Sequence, residues 1–214
     1  SGCLLHGFLD EGNKRFEELA LQEELGLTQD PDVPLIGLVT RLTPQKGIDL
    51  LEPVMDELMR ENVQMVVLGS GYAEYENYFK YCDYAYHDKF RAVIKFSAPL
   101  AQQIYAGADL FLMPSKSEPC GLAQMIAMRY GTIPIVHTVG GLKDTVPPFN
   151  PETSEGSGVT FQSFNAQDML GAIRRAMAIW RDPDQRKAIM KNAMSGDYSW
   201  KASAGKYREI YESL

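Results

Sequence analysis

The chain has 214 residues, 45% apolar and 23% charged, with 28 acidic against 21 basic side chains and a formal net charge of −7. This composition supplies a core for one large domain or two small ones and excludes a disordered, collagen-like, coiled-coil or disulfide-built chain. No apolar run approaches the roughly 18 residues that a membrane-spanning helix needs, and the acidic balance argues against duplex nucleic acid as the main partner, so any anionic ligand requires positive charge concentrated locally.

In chain order, Ser1-Gly2 reads as a cleavage scar and residues 1–10 as a linker. The stretch Cys3 to Leu9 is too short, and lacks the basic flank, for a signal peptide. Residues 10–32 are polar and acidic, with an amphipathic patch ending at Gly26, and predict a connector and one helix. From Val33 the pattern alternates. Leu35 to Val39, Val63 to Leu68, Ala92 to Ile94, Asp109 to Met113, Thr132 to Val136 and Val159 to Phe161 have the length and β-branched content of buried strands. Between them, Ile48, Leu51, Met55, Leu58 and Met59 share one helical face in a stretch ending near Asn62. Tyr75, Tyr78, Phe79, Cys82 and Tyr86 share another. Beyond Asn165, Met169 to Trp180, Pro183 to Met194 and Lys201 to Leu214 read as three closing helices. The expected fold is α/β: a Rossmann-like, doubly wound, mostly parallel sheet over residues 11–214, with its ligand at the carboxyl ends of the strands. The three cysteines, Cys3, Cys82 and Cys120, form no C-x-x-C and no zinc spacing, which points to a reducing compartment.

That placement rule selects three loops. The first, Thr40 to Gly47, carries Arg41 and Lys46, two cations at a strand's end that can converge on one anion such as a diphosphate. On its own it reads equally as a solvated turn with two surface bases. The second, Pro114 to Leu122, places Glu118 where its carboxylate can accept hydrogen bonds from ligand hydroxyls. The backbone amides of Cys120, Gly121 and Leu122 face an anion there, and Gly121 permits close approach. Alone, Glu118 reads as a cap for the helix that follows. The third, Thr138 to Thr145, holds Gly140 and Gly141 and on its own is no more than a turn.

Four stretches carry a resemblance: Pro34 to Gly47 (PLIGLVTRLTPQKG), Tyr105 to Gln124 (YAGADLFLMPSKSEPCGLAQ), Tyr130 to Pro148 (YGTIPIVHTVGGLKDTVPP) and Asp197 to Leu214 (DYSWKASAGKYREIYESL). Together they resemble the bacterial glycogen synthases and plant-type starch synthases, with Glu118-Pro119-Cys120-Gly121-Leu122 the most specific part. The resemblance implies retaining glucosyltransferases that extend an α-1,4-glucan from ADP-glucose. It implies one half of a GT-B fold, in which the active site lies between two Rossmann-like domains. This chain is similar to the C-terminal, nucleotide-sugar-binding half. The Lys-Thr-Gly-Gly-Leu loop of the family's N-terminal domain is not found, and none of His6, His87 (read as helical) or His137 (read as ending a strand) matches its histidine near the sugar. Binding of ADP or ADP-glucose without turnover is expected, with a glucan acceptor engaged only alongside the other domain. Neither a nucleic-acid nor a membrane partner is expected.

Residue by residue, the resemblance assigns Arg41 and Lys46 to the diphosphate and its departure, and Glu118 to the glucose hydroxyls. Pro119, Cys120, Gly121, Leu122, Ala123, Gly140 and Gly141 go to the donor-binding surface. Phe96 falls where the family places an aromatic against adenine, with core packing as its other reading. No metal and no cofactor are implied, since two cations can stand in for magnesium, and a front-face mechanism is implied for retention. Ile126 stands where many relatives of the fold have a second glutamate, and Ala123 where close relatives often have threonine. A non-catalytic nucleotide-binding or regulatory module, or a nucleotide-sugar epimerase of similar architecture, remain the alternatives. Gly69-Ser70-Gly71 follows a strand but completes no dinucleotide fingerprint. The setting expected is cytoplasmic for a bacterial source and plastidial for a plant or algal one.

Overall fold

Six short apolar runs become parallel strands: β1 (Leu35–Val39), β2 (Gln64–Leu68), β3 (Phe90–Val93), β4 (Leu110–Met113), β5 (Ile133–His137) and β6 (Val159–Phe161). They lie in the spatial order β3-β2-β1-β4-β5-β6. The computed structural model describes residues 11–198 together with Ala204, Arg208 and Tyr211. Those three positions aside, the head with Cys3 and His6 and the closing helix expected over 201–214 lie outside the described residues.

Eight helices cover the sheet among the described residues: α1 (Glu11–Leu25), α2 (Met55–Met59), α3 (Ala73–Ala85), α4 (Ala98–Gly107), α5 (Ala123–Arg129), α6 (Gly140–Thr145), α7 (Ala166–Arg181) and α8 (Pro183–Ser195). Because strand side chains alternate, the inner strands β1, β2, β4 and β5 feed cores on both faces of the sheet. Ile36, Leu38, Met65, Val67, Leu112 and Ile135 pack against the 48–59 segment, α3 and α7. On the opposite face, Leu35, Val66 and Leu68 meet α1 and α4, and Phe111, Met113 and Val136 meet α5, α6 and α8. This is the doubly wound architecture expected.

Some local expectations change. The helix expected from Ile48 to near Asn62 is two 3-10 turns, Ile48–Leu50 and Glu52–Val54, followed by the short α2. Pro53, lacking an N–H and clashing with the preceding turn, breaks it, yet all five residues of the expected face are buried. Strand β3 starts at Phe90 and ends at Val93, not at Ile94. Helix α3 stops at Ala85, so His87 lies in a turn beyond it. Helix α4, not singled out in the sequence, is capped by Ser97, whose hydroxyl accepts from the Leu100 N–H at 3.3 Å.

At the amino ends of the strands sits a buried polar cluster. The Lys14 ammonium donates to the Ala106 carbonyl (2.6 Å) and the Thr132 hydroxyl (2.5 Å), and Asp109 accepts from the Leu35 N–H (2.9 Å). Burial, with Asp109 beside it, pushes the Glu18 carboxyl up to about 10, and burial pulls Lys14 down to about 8. Burial likewise raises Asp109. The cluster pins α1 to the base of the sheet, opposite the loops.

Candidate functional site

Between β1 and β4 the strand order reverses, and the carboxyl ends of the strands at such a reversal are where open α/β sheets bind ligands. The first loop stays tied to β2: the Thr40 N–H donates to the Leu68 carbonyl (3.1 Å) and the Leu42 N–H to that of Ser70 (3.0 Å). It then tightens into the 3-10 turn Pro44–Lys46, closed by Gly47 at φ 71°. A Cβ on Gly47 would stand 1.9 Å from the Pro114 carbonyl oxygen, so only glycine lets this turn lie against the loop after β4. The Lys116 N–H, donating to the Gln45 carbonyl at 2.9 Å, completes the crossing.

This crossing delivers Lys46 to Glu118. The ammonium stands 2.5 Å from Glu118 Oε2, with the two side chains 19% and 11% exposed. The Ser115 hydroxyl donates to the same oxygen at 3.2 Å. Glu118 does not cap α5: the N-cap position is Leu122, with no side-chain cap bond. Of the two readings its position allowed, the cap is the one the structure removes, and the carboxylate lies on Lys46 and Ser115.

The third loop is more than a turn. Gly140 and Gly141 open α6, and the Gly141 N–H donates to the Glu118 carbonyl at 3.0 Å. A Cβ on Gly140 would stand 2.2 Å from that carbonyl oxygen, and one on Gly141 2.2 Å from the Cys120 carbonyl oxygen. The two glycines therefore let α6 lie directly on the Glu118-to-Cys120 backbone. Beneath, buried Gln124 donates through Nε2 to the carbonyls of Cys120 (3.2 Å) and Gly121 (2.9 Å) and lies 3.0 Å from the Thr145 hydroxyl. Those carbonyls point inward. Among the described residues the N–H groups of Cys120, Gly121 and Leu122 have no acceptor. Pro119, Cys120 and Leu122 are exposed, Gly121 (φ 75°) is half-buried, and Ala123 is the half-buried first residue of α5.

Beside this surface, over the carboxyl ends of β1, β2 and β3, a cavity of about 200 Å³ is lined by Thr40, Arg41, Ser70, Lys95, Phe96 and Ser97 among others. Phe96 is 89% exposed, which removes the core-packing reading. Arg41 is exposed and makes no ion pair among the described residues. The structure thus puts Arg41 and Phe96 in one cavity and Lys46 on Glu118, at neighbouring places along one edge of the sheet. A larger, mostly apolar cavity of about 340 Å³ lies at the β6 edge between Phe149, Val159 and Ile179, and none of the predicted residues lines it.

Sequence reasoning passed over several contributors. His137, set aside for lack of a family role, is buried at the end of β5. Its Nδ1 lies 2.8 Å from the Ser115 carbonyl oxygen and its ring packs on Phe161 and Phe164. A histidine ending a strand next to the switch point was the available signal. Lys95 adjoins Phe96 and could have been found by the same rule. Gln124 had no sequence signal, since a buried glutamine is defined by what it touches. Among the described residues no three His, Cys, Asp or Glu side chains gather as metal ligands, and no helix is long and apolar enough to cross a membrane.

Comparison with known proteins agrees with this fold. Residues 11–195 match the family model described as glycosyl transferases group 1. The chain is 53% identical over 201 residues to the glycogen synthase of Anoxybacillus flavithermus, covering 94% of this chain and 42% of that protein. It is 52% identical over 195 residues to the glycogen synthase of Bacillus subtilis, covering 91% and 40%. It therefore spans about two fifths of the length of these curated relatives. Among solved structures it is similar to the catalytic domain of starch synthase IV from Arabidopsis thaliana bound to ADP and acarbose, with a TM-score of 0.87 and 35% identity over 100% of this chain and 45% of that one. It is also similar to sucrose-phosphate synthase from Thermosynechococcus elongatus, with a TM-score of 0.67 and 25% identity over 91% and 49%. A six-stranded parallel sheet with its glycine-packed loops at the switch point, matched by the family model over residues 11–195, establishes that the chain belongs to the glycosyl transferases group 1 family.

Proposed function

We propose that this chain is the ADP-glucose-binding half of a retaining glucosyltransferase that extends an α-1,4-glucan, as in glycogen or starch synthesis. The observation that carries the reading is the meeting of Lys46 and Glu118 at the β1/β4 switch point, next to a cavity lined by Arg41 and Phe96. Breaking a glycosyl-phosphate bond builds negative charge on the leaving oxygen. Arg41 and Lys46 are fixed cations that stabilise that charge more in the transition state than in the ground state, and they do so without a divalent metal. Phe96 stacks the adenine. Glu118 accepts hydrogen bonds from glucose hydroxyls, and the open amides of Cys120, Gly121 and Leu122 donate to the sugar or the phosphates. The acceptor glucan is engaged alongside a second domain, as the GT-B resemblance implies, so this chain binds and the whole enzyme turns over. With bacterial relatives at this identity, the cytoplasmic setting is the one carried forward.

Two measurements test the reading. Calorimetric titration of the chain with ADP-glucose and UDP-glucose is expected to favour the adenine donor, and equal affinities would sink the choice of base. The full-length protein, given ADP-glucose and a maltooligosaccharide, is expected to lengthen the glucan, and unchanged chain lengths would sink the transferase assignment.

A further inference from the structure

In the free chain the two groups assigned to different parts of the donor are spent on each other. Lys46, meant for the diphosphate, is paired at 2.5 Å with Glu118, meant for the sugar. Each is mostly shielded from water, so neither can leave its partner without a substitute. The two differ in freedom. Glu118 is held from within its own loop by the Ser115 hydroxyl on the same oxygen, and its carbonyl is held by the Gly141 N–H. Lys46 ends the 3-10 turn Pro44–Lys46 and reaches across by its flexible stem alone, with no second side-chain bond among the described residues.

We propose that the Lys46–Glu118 ion pair is an internal lock on the donor site, opened when a diphosphate draws the Lys46 ammonium away, so that Glu118 is freed for a sugar only once the phosphates are seated. This rests on the reading of Lys46 as a diphosphate ligand and adds how the two subsites are coupled. The carboxylate stays in place through Ser115 while the ammonium moves. A nucleoside diphosphate alone then leaves Glu118 short of one hydrogen-bond donor. A nucleoside diphosphate sugar supplies the missing donors as hydroxyls. The phosphate and sugar subsites therefore bind with positive coupling, and free glucose, which cannot draw off Lys46, finds the carboxylate occupied.

A double-mutant cycle on the chain reads the lock directly, with ADP and adenosine titrated into the wild type, Glu118→Gln, Lys46→Ala and the double variant, each first checked by thermal melting. Glu118→Gln, which keeps the shape and removes the competing charge, is expected to tighten ADP about tenfold, on the scale of a partly buried charge pair's coupling. The gain should vanish in the Lys46→Ala background, and adenosine affinity should not change. If Glu118→Gln leaves ADP affinity unchanged or weakens it while Lys46→Ala still weakens it, the lock is wrong and the nucleotide site stands. If the tightening survives in the Lys46→Ala background, plain repulsion between Glu118 and phosphate explains it and the lock is likewise overturned. If Lys46→Ala leaves ADP binding unchanged, the diphosphate reading itself fails.

Discussion

The Nδ1 of His137, the last residue of β5, lies 2.8 Å from the carbonyl oxygen of Ser115, the residue whose hydroxyl holds Glu118. A strand of the sheet thus fixes the loop that carries the Glu118 carboxylate. His137→Ala leaves that carbonyl without its donor, and the expected loss in urea unfolding is about 1–3 kcal/mol. Affinity for ADP-glucose should fall more than affinity for ADP. Equal losses for the two ligands would reduce His137 to a purely structural residue.

Gly47→Ala tests whether the crossing of the first two loops depends on glycine. The substitution forces a side chain into φ 71° and against the Pro114 carbonyl, and strain of this kind costs about 1–3 kcal/mol from the backbone alone. Chemical denaturation should show at least that loss, together with weakened ADP binding. Gly171→Ala is the control. Gly171 lies in α7 with only the Arg175 guanidinium near a new Cβ, at 3.6 Å, so it should gain about 0.5–1 kcal/mol. A neutral Gly47→Ala would mean that the loops do not need this contact.

Phe96, being 89% exposed, can be removed without opening the core. Phe96→Ala is expected to leave the melting temperature within a degree or two and to weaken ADP by about 1–3 kcal/mol, the usual worth of one base stacked on an aromatic. Affinity for inorganic pyrophosphate, which has no base, should not move. A parallel loss for pyrophosphate would take Phe96 off the adenine.

The base of the sheet gives a pH prediction. Glu18 has its folded value raised to about 10, so between about pH 5 and 7.5 the folded state holds a proton that the unfolded state has released. Stability therefore falls as pH rises through this window, with a slope approaching about 1.4 kcal/mol per pH unit. The raised Asp109 acts in the same direction. Lys14, lowered to about 8, keeps its charge over the lower part of this window and opposes the fall only towards pH 7.5. Urea midpoints at pH 5.5, 6.5 and 7.5 should decline in the wild type and flatten in Glu18→Gln. Identical slopes would remove Glu18 as the cause.

The strand set and its order of alternation were legible because buried parallel strands are continuous apolar runs, and β1 and β6 fall where the pattern places them. Boundaries moved where backbone chemistry outranked side-chain pattern, as at Pro53, which cuts the 48–59 segment into 3-10 turns while leaving its buried face intact. Arg41, Lys46 and Glu118 could be picked out because a switch point tells where charge matters. That Lys46 and Glu118 would pair could not, since they are 72 residues apart in the chain and only the loop crossing at Gly47 brings them together. His137 was underrated for a related reason: its importance lies in the Ser115 carbonyl it holds, and no periodicity encodes that contact.

The most direct test of the donor-site assignment is isothermal titration of ADP into the chain in EDTA, for the wild type, Arg41→Ala and Lys46→Ala. The expected result is single-site binding without magnesium, weakened about tenfold or more by each substitution, in line with the loss of one charge-assisted phosphate contact. Binding that appears only when magnesium is added, or variants that bind ADP as tightly as the wild type, would contradict it.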